Sequence, residues 1–430
     1  MKTLSNALAA ALLLAGVSGA ALIADPAVAQ KKKDKDKGDA GFKFSPAVQK
    51  VAATAQTALN AGDIAAAETA VAALEAAPKT TDDDRYIAAA FRFDLEQKKL
   101  RAAAAANPNA PQDEGRLAAP LEALIASPRT QPDQKAQFAY ARGALAYNAK
   151  QYPVALQYFT QARQLGSTDA NLGLQIVRTK EATGDVAGSL AELDAELTRQ
   201  TAAGQKPSED LYRFGLARAM KTGQGIPWMQ KYLAAYPSSK NWRDVIITYG
   251  FAPGSPAKLD TPQKIDLFRL MRASKSLADL YDYGEYAQKA RDRGLPAESL
   301  AVLREGMAAG KIPAANSEYK AMLTEVTRAA AADTPSSTEA KAKSAADGKL
   351  AAQTAEAYLS QGNYAKAAEL YRTALSKGGV NADEVNTRLG IALANGGDKA
   401  GAQAAFAAVK GQPRADIAAL WTTWINASAA

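Results

Sequence analysis

Residues 348–381 read GKLAAQTAEAYLSQGNYAKAAELYRTALSKGGVN, and this stretch decides the fold. Its middle, Gln361-Gly362-Asn363, is a break between two helical texts rich in Ala, Leu, Glu and Lys. The glycine can take the left-handed conformation that ends one helix, and the Asn side-chain oxygen can cap the next. Around the break lies a size pattern. Ala355 stands seven residues before the glycine, Ala367 five after it, and the large Tyr371 four further on.

The same punctuation recurs along the chain. Gly62-Asp63, Gly184-Asp185 and Gly397-Asp398 repeat the stop and cap, and Gly294 is followed by Pro296, which suits a first helical turn. The small residue after the turn is Ala67, Ser189, Ser299 or Ala402, and the large one is Val71, Leu193, Leu303 or Phe406. The run Gln151 to Ala162 has the same spacing, with Lys150 in the glycine's place. Gly143, Ala287 and Gly390 are the small residues seven upstream. Small residues at both places let the helices of one hairpin approach closely, and the large residue is expected to fill the gap to the next hairpin.

These positions resemble the tetratricopeptide repeat, most fully over 136–169 and 348–381. Lys150 and Gly184 are 34 apart and Gly362 and Gly397 are 35 apart, so two pairs of units abut in register. The fold expected is all-α: an α-solenoid of antiparallel helix hairpins, a tetratricopeptide-like superhelix, with an irregular central stretch. Residues 45–236 form an N-terminal array. The pattern lapses over 237–328, where Pro227-Trp228 just upstream already puts a large residue at the small position. Residues 329–348, with Pro335-Ser336-Ser337, read as a flexible linker, and 349–430 as a repeat pair with a capping helix from Arg414.

The N-terminus fixes the expected compartment. Met1-Lys2, an apolar run from Ala7 to Ala24, and Ala27-Val28-Ala29 before Gln30 follow the order of a cleavable secretory signal over residues 1–29. The expected location is periplasmic; the alternative is an inner-membrane anchor formed by the uncleaved segment, which is barely long enough to span roughly 30 Å of hydrocarbon. Residues 30–44 read as a disordered charged linker. A basic arm touching an envelope surface is its functional alternative.

The chain has no cysteine and no histidine, so disulfides, the commonest zinc ligand and every Ser-His or Cys-His pair are excluded. The formal charge is +8, of which five lysines against two aspartates in Lys31–Lys37 supply +3. The remainder is too mildly basic for a nucleic-acid face. Asp82-Asp83-Asp84 suits a helix start, where the dipole favours negative charge. No enzyme activity, cofactor or metal is expected.

What the resemblance implies is binding. The first helix of each pair would line a concave surface that holds a protein or peptide of the cell envelope. Its groove positions map onto Tyr140, Tyr147, Asn148, Asn171, Gln175 and Arg178, with Tyr212 and Arg213 from the less regular unit that follows. The tyrosines alternatively fill packing gaps between repeats. Some members of the family grip a peptide C-terminus with lysine and asparagine. The matching residues here, Tyr140, Ala144 and Gln175, then Ala352, Glu356 and Arg388, lack that chemistry. The expected function is therefore a periplasmic scaffold or adaptor. The alternative is an accessory protein of cell-wall metabolism that binds or processes glycan, favoured if Trp242 and nearby acids line an open pocket. Trp421 and Trp424 share a helix face and are expected to cover the last hairpin.

Overall fold

A computed structural model of the chain describes residues 42–109 and 111–427, which hold twenty-one α-helices and no strand. The signal expected over residues 1–29 and the linker as far as residue 41 lie outside the described residues. Among the described residues, no helix is long and apolar enough to cross a membrane. The chain divides into two compact units at Lys206/Pro207, not at the 236/237 boundary expected from the lapse in pattern.

The first unit is a run of helix hairpins: α1 (Pro46–Ala61), α2 (Ile64–Ala76), α3 (Asp82–Ala106), α4 (Ala118–Ala126), α5 (Pro132–Asn148), α6 (Tyr152–Gln164), α7 (Leu172–Ala182) and α8 (Val186–Ala202). The turns form as their chemistry dictates. Gly62 and Gly184 have φ of 72° and 83°, and the Asp63 and Asp185 carboxylates accept the backbone N–H of Ala66 and Gly188. Lys150 adopts the same left-handed conformation at φ 60°, although it carries a Cβ.

Helices within a hairpin touch through the small residues. A Cβ built on Gly143 would lie 2.7 Å from the Phe159 ring, so only glycine fits there. Phe159 thus packs against its own hairpin as well as facing the next, where sequence spacing assigned it only to the latter. Ser189 Oγ donates to the Val177 carbonyl across the α7–α8 hairpin at 3.1 Å. Residues 42–44, expected in the linker, are packed instead. The Phe42 ring stacks on Phe44 and Tyr86, and the backbone N–H groups of Lys43 and Ser45 donate to Asp83 and Asp84. The acidic cluster at the α3 start therefore anchors the incoming chain besides capping its helix.

The second unit holds α9 (Glu209–Ala219), α10 (Gly225–Ala235), α11 (Ser239–Ile246), a π-helical turn Ile247–Phe251, α12 (Thr261–Ala273), α13 (Leu280–Asp292), α14 (Pro296–Ala308), α15 (Ser317–Ala332), α16 (Ser336–Ser344), α17 (Lys349–Ser360), α18 (Tyr364–Lys377), α19 (Ala382–Asn395), α20 (Lys399–Ala407) and α21 (Arg414–Ala427). The hairpins α13/α14, α17/α18 and α19/α20 repeat the rules of the first unit. Ser299 Oγ donates to the Ala287 carbonyl at 2.8 Å, and a Cβ on Gly390 would lie 2.4 Å from Phe406. In α9/α10 the sizes are exchanged. Trp228 stands at the small position, and Gly215 opposite accepts it, since a Cβ there would come within 2.1 Å of the indole.

Residues 329–348 are not a flexible joint: α15 runs into them and α16 occupies most of the rest. The reason is local pairing. Ala342 is fully buried, and Glu339 accepts from Tyr358 and Lys366 on the neighbouring hairpin and pairs with Lys343 on its own helix. These partners hold its carboxyl down at about 2, led by Lys366.

The last helix does more than cover α19 and α20. It reaches back to the start of its own unit, packing on α10 and α12. Gln230 donates to the Ala419 carbonyl at 3.2 Å, Tyr249 to Asp416 at 3.0 Å, and the Trp421 indole to the Asp266 carbonyl at 3.2 Å. Trp421 is fully buried and Trp424 half-buried. The second unit is closed on itself.

Candidate functional site

The groove residues expected from the repeat register differ in burial. Tyr140 and Gln175 are buried; Tyr140 packs on Phe159 with ring centres 5.6 Å apart. Burial, with Asp169 nearby, raises its hydroxyl to about 12. Tyr147 is half-buried edge-on to Tyr152. Asn148, Asn171 and Arg178 are exposed, and Asn148 reaches Glu114 at 3.4 Å. Tyr212 and Arg213 lie in the second unit. Tyr212 is buried edge-on to Tyr236, and Arg213 bonds Glu209, Tyr232 and Asn241. For Tyr140, Gln175 and Tyr212 burial gives the packing role, and Arg213 is exposed but already bonded to residues of its own unit.

The second unit carries a buried ion cluster where its repeats face inward. Arg269 on α12 grips Glu298 of α14 through Nε and Nη2 at 2.8 and 2.7 Å, and Asp266 through Nη1 at 2.9 Å. Asp266 also accepts from Arg414 of α21 at 2.9 Å. Arg388 of α19 donates to Glu356 of α17 at 2.6 Å and pairs with Glu384 at 2.5 Å. Tyr286 donates to Glu298 at 2.5 Å.

Electrostatics keeps the cluster charged. Burial alone would raise the Asp266 carboxyl, but the guanidiniums of Arg388, Arg269 and Arg414 outweigh it and hold it below its usual range. Glu298 is lowered by the same contest, with Arg269 as its main counter-charge. Arg269 is raised well above its ordinary value because the carboxylates around it overcome its own burial. Glu356 and Arg388, the residues at the clamp positions of the C-terminal pair, thus neutralise each other under α12 and α21. That part of the inward face is filled by the chain itself.

What stays open is a cavity of about 590 Å³ between α12, α14, α15 and the α17–α19 hairpins. Its lining includes four half-buried alanines from α12, α14 and α15: Ala273, Ala297, Ala301 and Ala330. The α17–α19 side contributes Leu359, Ile391 and Tyr364, and the polar lining includes Arg272, Gln361 and Asn395. Its volume is typical of ligand-holding pockets. A cavity of similar size in the first unit, about 590 Å³ between α2, α3 and α4, is also floored by alanines. Its rim charges are largely paired with each other, Arg92 with Glu75 and Glu96, and Arg85 with Asp82.

Sequence reasoning passed over Arg272 and Tyr364, since α12 lies outside the repeat register and Tyr364 opens a second helix. Trp242 is buried, so it lines no open pocket with acids. Among the described residues, no group of carboxylates is arranged to hold a metal ion.

No family model matches the chain, and no curated protein matches it. Among solved structures, the crystal structure of the pentatricopeptide repeat protein PPR10 from maize aligns over 85% of this chain at 15% identity, with a TM-score of 0.22. The aligned region spans 60% of that chain.

Proposed function

We propose that the protein is an exported scaffold of the tetratricopeptide type that holds an extended segment of a partner protein in the second-unit cavity. One observation carries this reading. The cavity lining combines small half-buried residues, against which a peptide backbone can lie closely, with polar side chains able to bond its amides. The repeated hairpins of the second unit supply the rigid support that such recognition needs. The order of charge, apolar run and small residues over 1–29 supports export, and partners are then proteins of the cell envelope. Since the ion cluster occupies the neighbouring interior of the second unit, recognition there is concentrated at this cavity.

The test fills the cavity. Ala301→Trp places an indole at a half-buried position of the cavity lining. The tagged chain and this variant are compared for crosslinked partners in their own cells. Loss of specific partners in the variant, at unchanged thermal midpoint, supports the reading. An unchanged partner set would overturn it.

A further inference from the structure

We infer that Arg272 makes this cavity selective for a peptide that carries a carboxylate, an inference that rests on the cavity holding a peptide. The argument starts from which donors are already bonded. Arg269, the other cation of the cavity, has all three nitrogens committed to Glu298 and Asp266. Arg272 is bonded only through Nε, to Glu305 at 2.7 Å. Its Nη1 and Nη2 have no partner among the described residues.

The Glu305 contact fixes the guanidinium plane, and Glu305 is itself approached by the Tyr283 hydroxyl at 3.4 Å. What remains unbonded is the two-nitrogen edge, a planar fork whose spacing matches the two oxygens of a carboxylate. Arg272 keeps about a third of its side-chain surface, 37%, accessible, so the fork is reachable. Its neighbours do not oppose an incoming anion strongly. Glu298 is paired with Arg269; Glu305, on the Nε side, offsets part of the Arg272 charge, so selectivity rests on the hydrogen-bonding fork of the unbonded nitrogens. Beside it, Ala273, Ala297 and Ala301 carry only methyl groups, which leaves room for the chain that bears the acid.

The carboxylate can come from an Asp or Glu side chain or from a peptide C-terminus, and the experiment separates them. The full chain, Arg272→Gln, Arg272→Lys and the cavity-filled Ala301→Trp are screened against bead-displayed random short peptides, one library ending in amides and the other in free acids. The expected result is enrichment of Asp and Glu among bound amide-ended peptides. Their affinity should fall about tenfold in Arg272→Gln, the size expected for a charge-assisted fork. Arg272→Lys should retain part of the preference, since it keeps the charge but loses the fork. Enrichment confined to the free-acid library places the carboxylate at the C-terminus and supports the same subsite.

Two outcomes overturn the inference. Peptides bound without acid preference, or with a preference unchanged in Arg272→Gln, remove the subsite and leave the peptide-binding reading standing. No peptide retained above the level of Ala301→Trp removes both. Thermal midpoints of the full chain and the two Arg272 variants, expected to agree closely because Arg272–Glu305 is a partly exposed pair, separate loss of binding from loss of fold.

Discussion

Arg388 and Glu356, which the repeat register puts on the first helices of successive hairpins, bind each other at 2.6 Å in the interior of the second unit. A surface expected to meet a partner is thereby turned into the interior of the second unit. Asp266, which draws in Arg269 and Arg414 as well, is the centre of that change.

Removing Asp266 should be costly. Asp266→Ala leaves Arg414 and Arg269 buried with a missing counter-charge, and breaking a buried pair of this kind costs about 3–5 kcal/mol. Urea unfolding of the second unit should move to lower concentration by that amount, while the first unit keeps its own transition.

The cluster also sets a pH dependence. Asp266 and Glu298 have folded-state values below their ordinary ones, so their contribution is present above about pH 4 and is lost as pH falls through the lowered values. Tyr286 is raised well above its ordinary value, chiefly by burial and then by Glu298. Its contribution is complete below about pH 10 and is lost as pH rises further. Thermal midpoints measured across pH should fall at both ends, and Asp266→Asn should flatten the acid limb.

At Gly390 the close approach to Phe406 leaves no room for a Cβ. Gly390→Ala should destabilise by about 1–3 kcal/mol through overpacking, against the small gain alanine normally gives inside a helix. Combining it with Phe406→Leu should recover part of the loss, read as a coupling energy in a double-mutant cycle.

Lys150 stands in a left-handed conformation at φ 60° where its counterparts are glycines. Lys150→Gly should stabilise the α5/α6 hairpin by about 1 kcal/mol. Gly184→Ala, at φ 83°, should destabilise by a similar amount.

The hairpins were legible in sequence because their determinants are local. A stop, a cap and two small residues at fixed spacing fix a turn and a close approach, and Gly62, Gly184, Gly362 and Gly397 behave as read. Ser189 and Ser299 show the same rule with an added hydrogen bond to the carbonyl they pack against. The inward face was not legible. Asp266 meets Arg414 across 148 positions of sequence, and no repeat register relates α12 to α21. Nor did spacing reveal that Tyr140 and Gln175 are turned into the core, since a tyrosine at a groove position serves packing or contact equally well. Glu339 shows a further limit. A Pro-Ser-Ser run reads as a joint, and only its pairing with Lys366 and Tyr358 shows the helix that follows.

The central claim is that partners enter the second-unit cavity, and a photocrosslinking amino acid tests it most directly. Introduced at Tyr364, in the cavity wall, it should give discrete adducts in the cell that vanish when Ala301→Trp is added. The same group at Tyr281, an exposed residue outside the cavity, should not give them. Identical adducts from both positions, or adducts from Tyr364 that survive Ala301→Trp, would contradict the account.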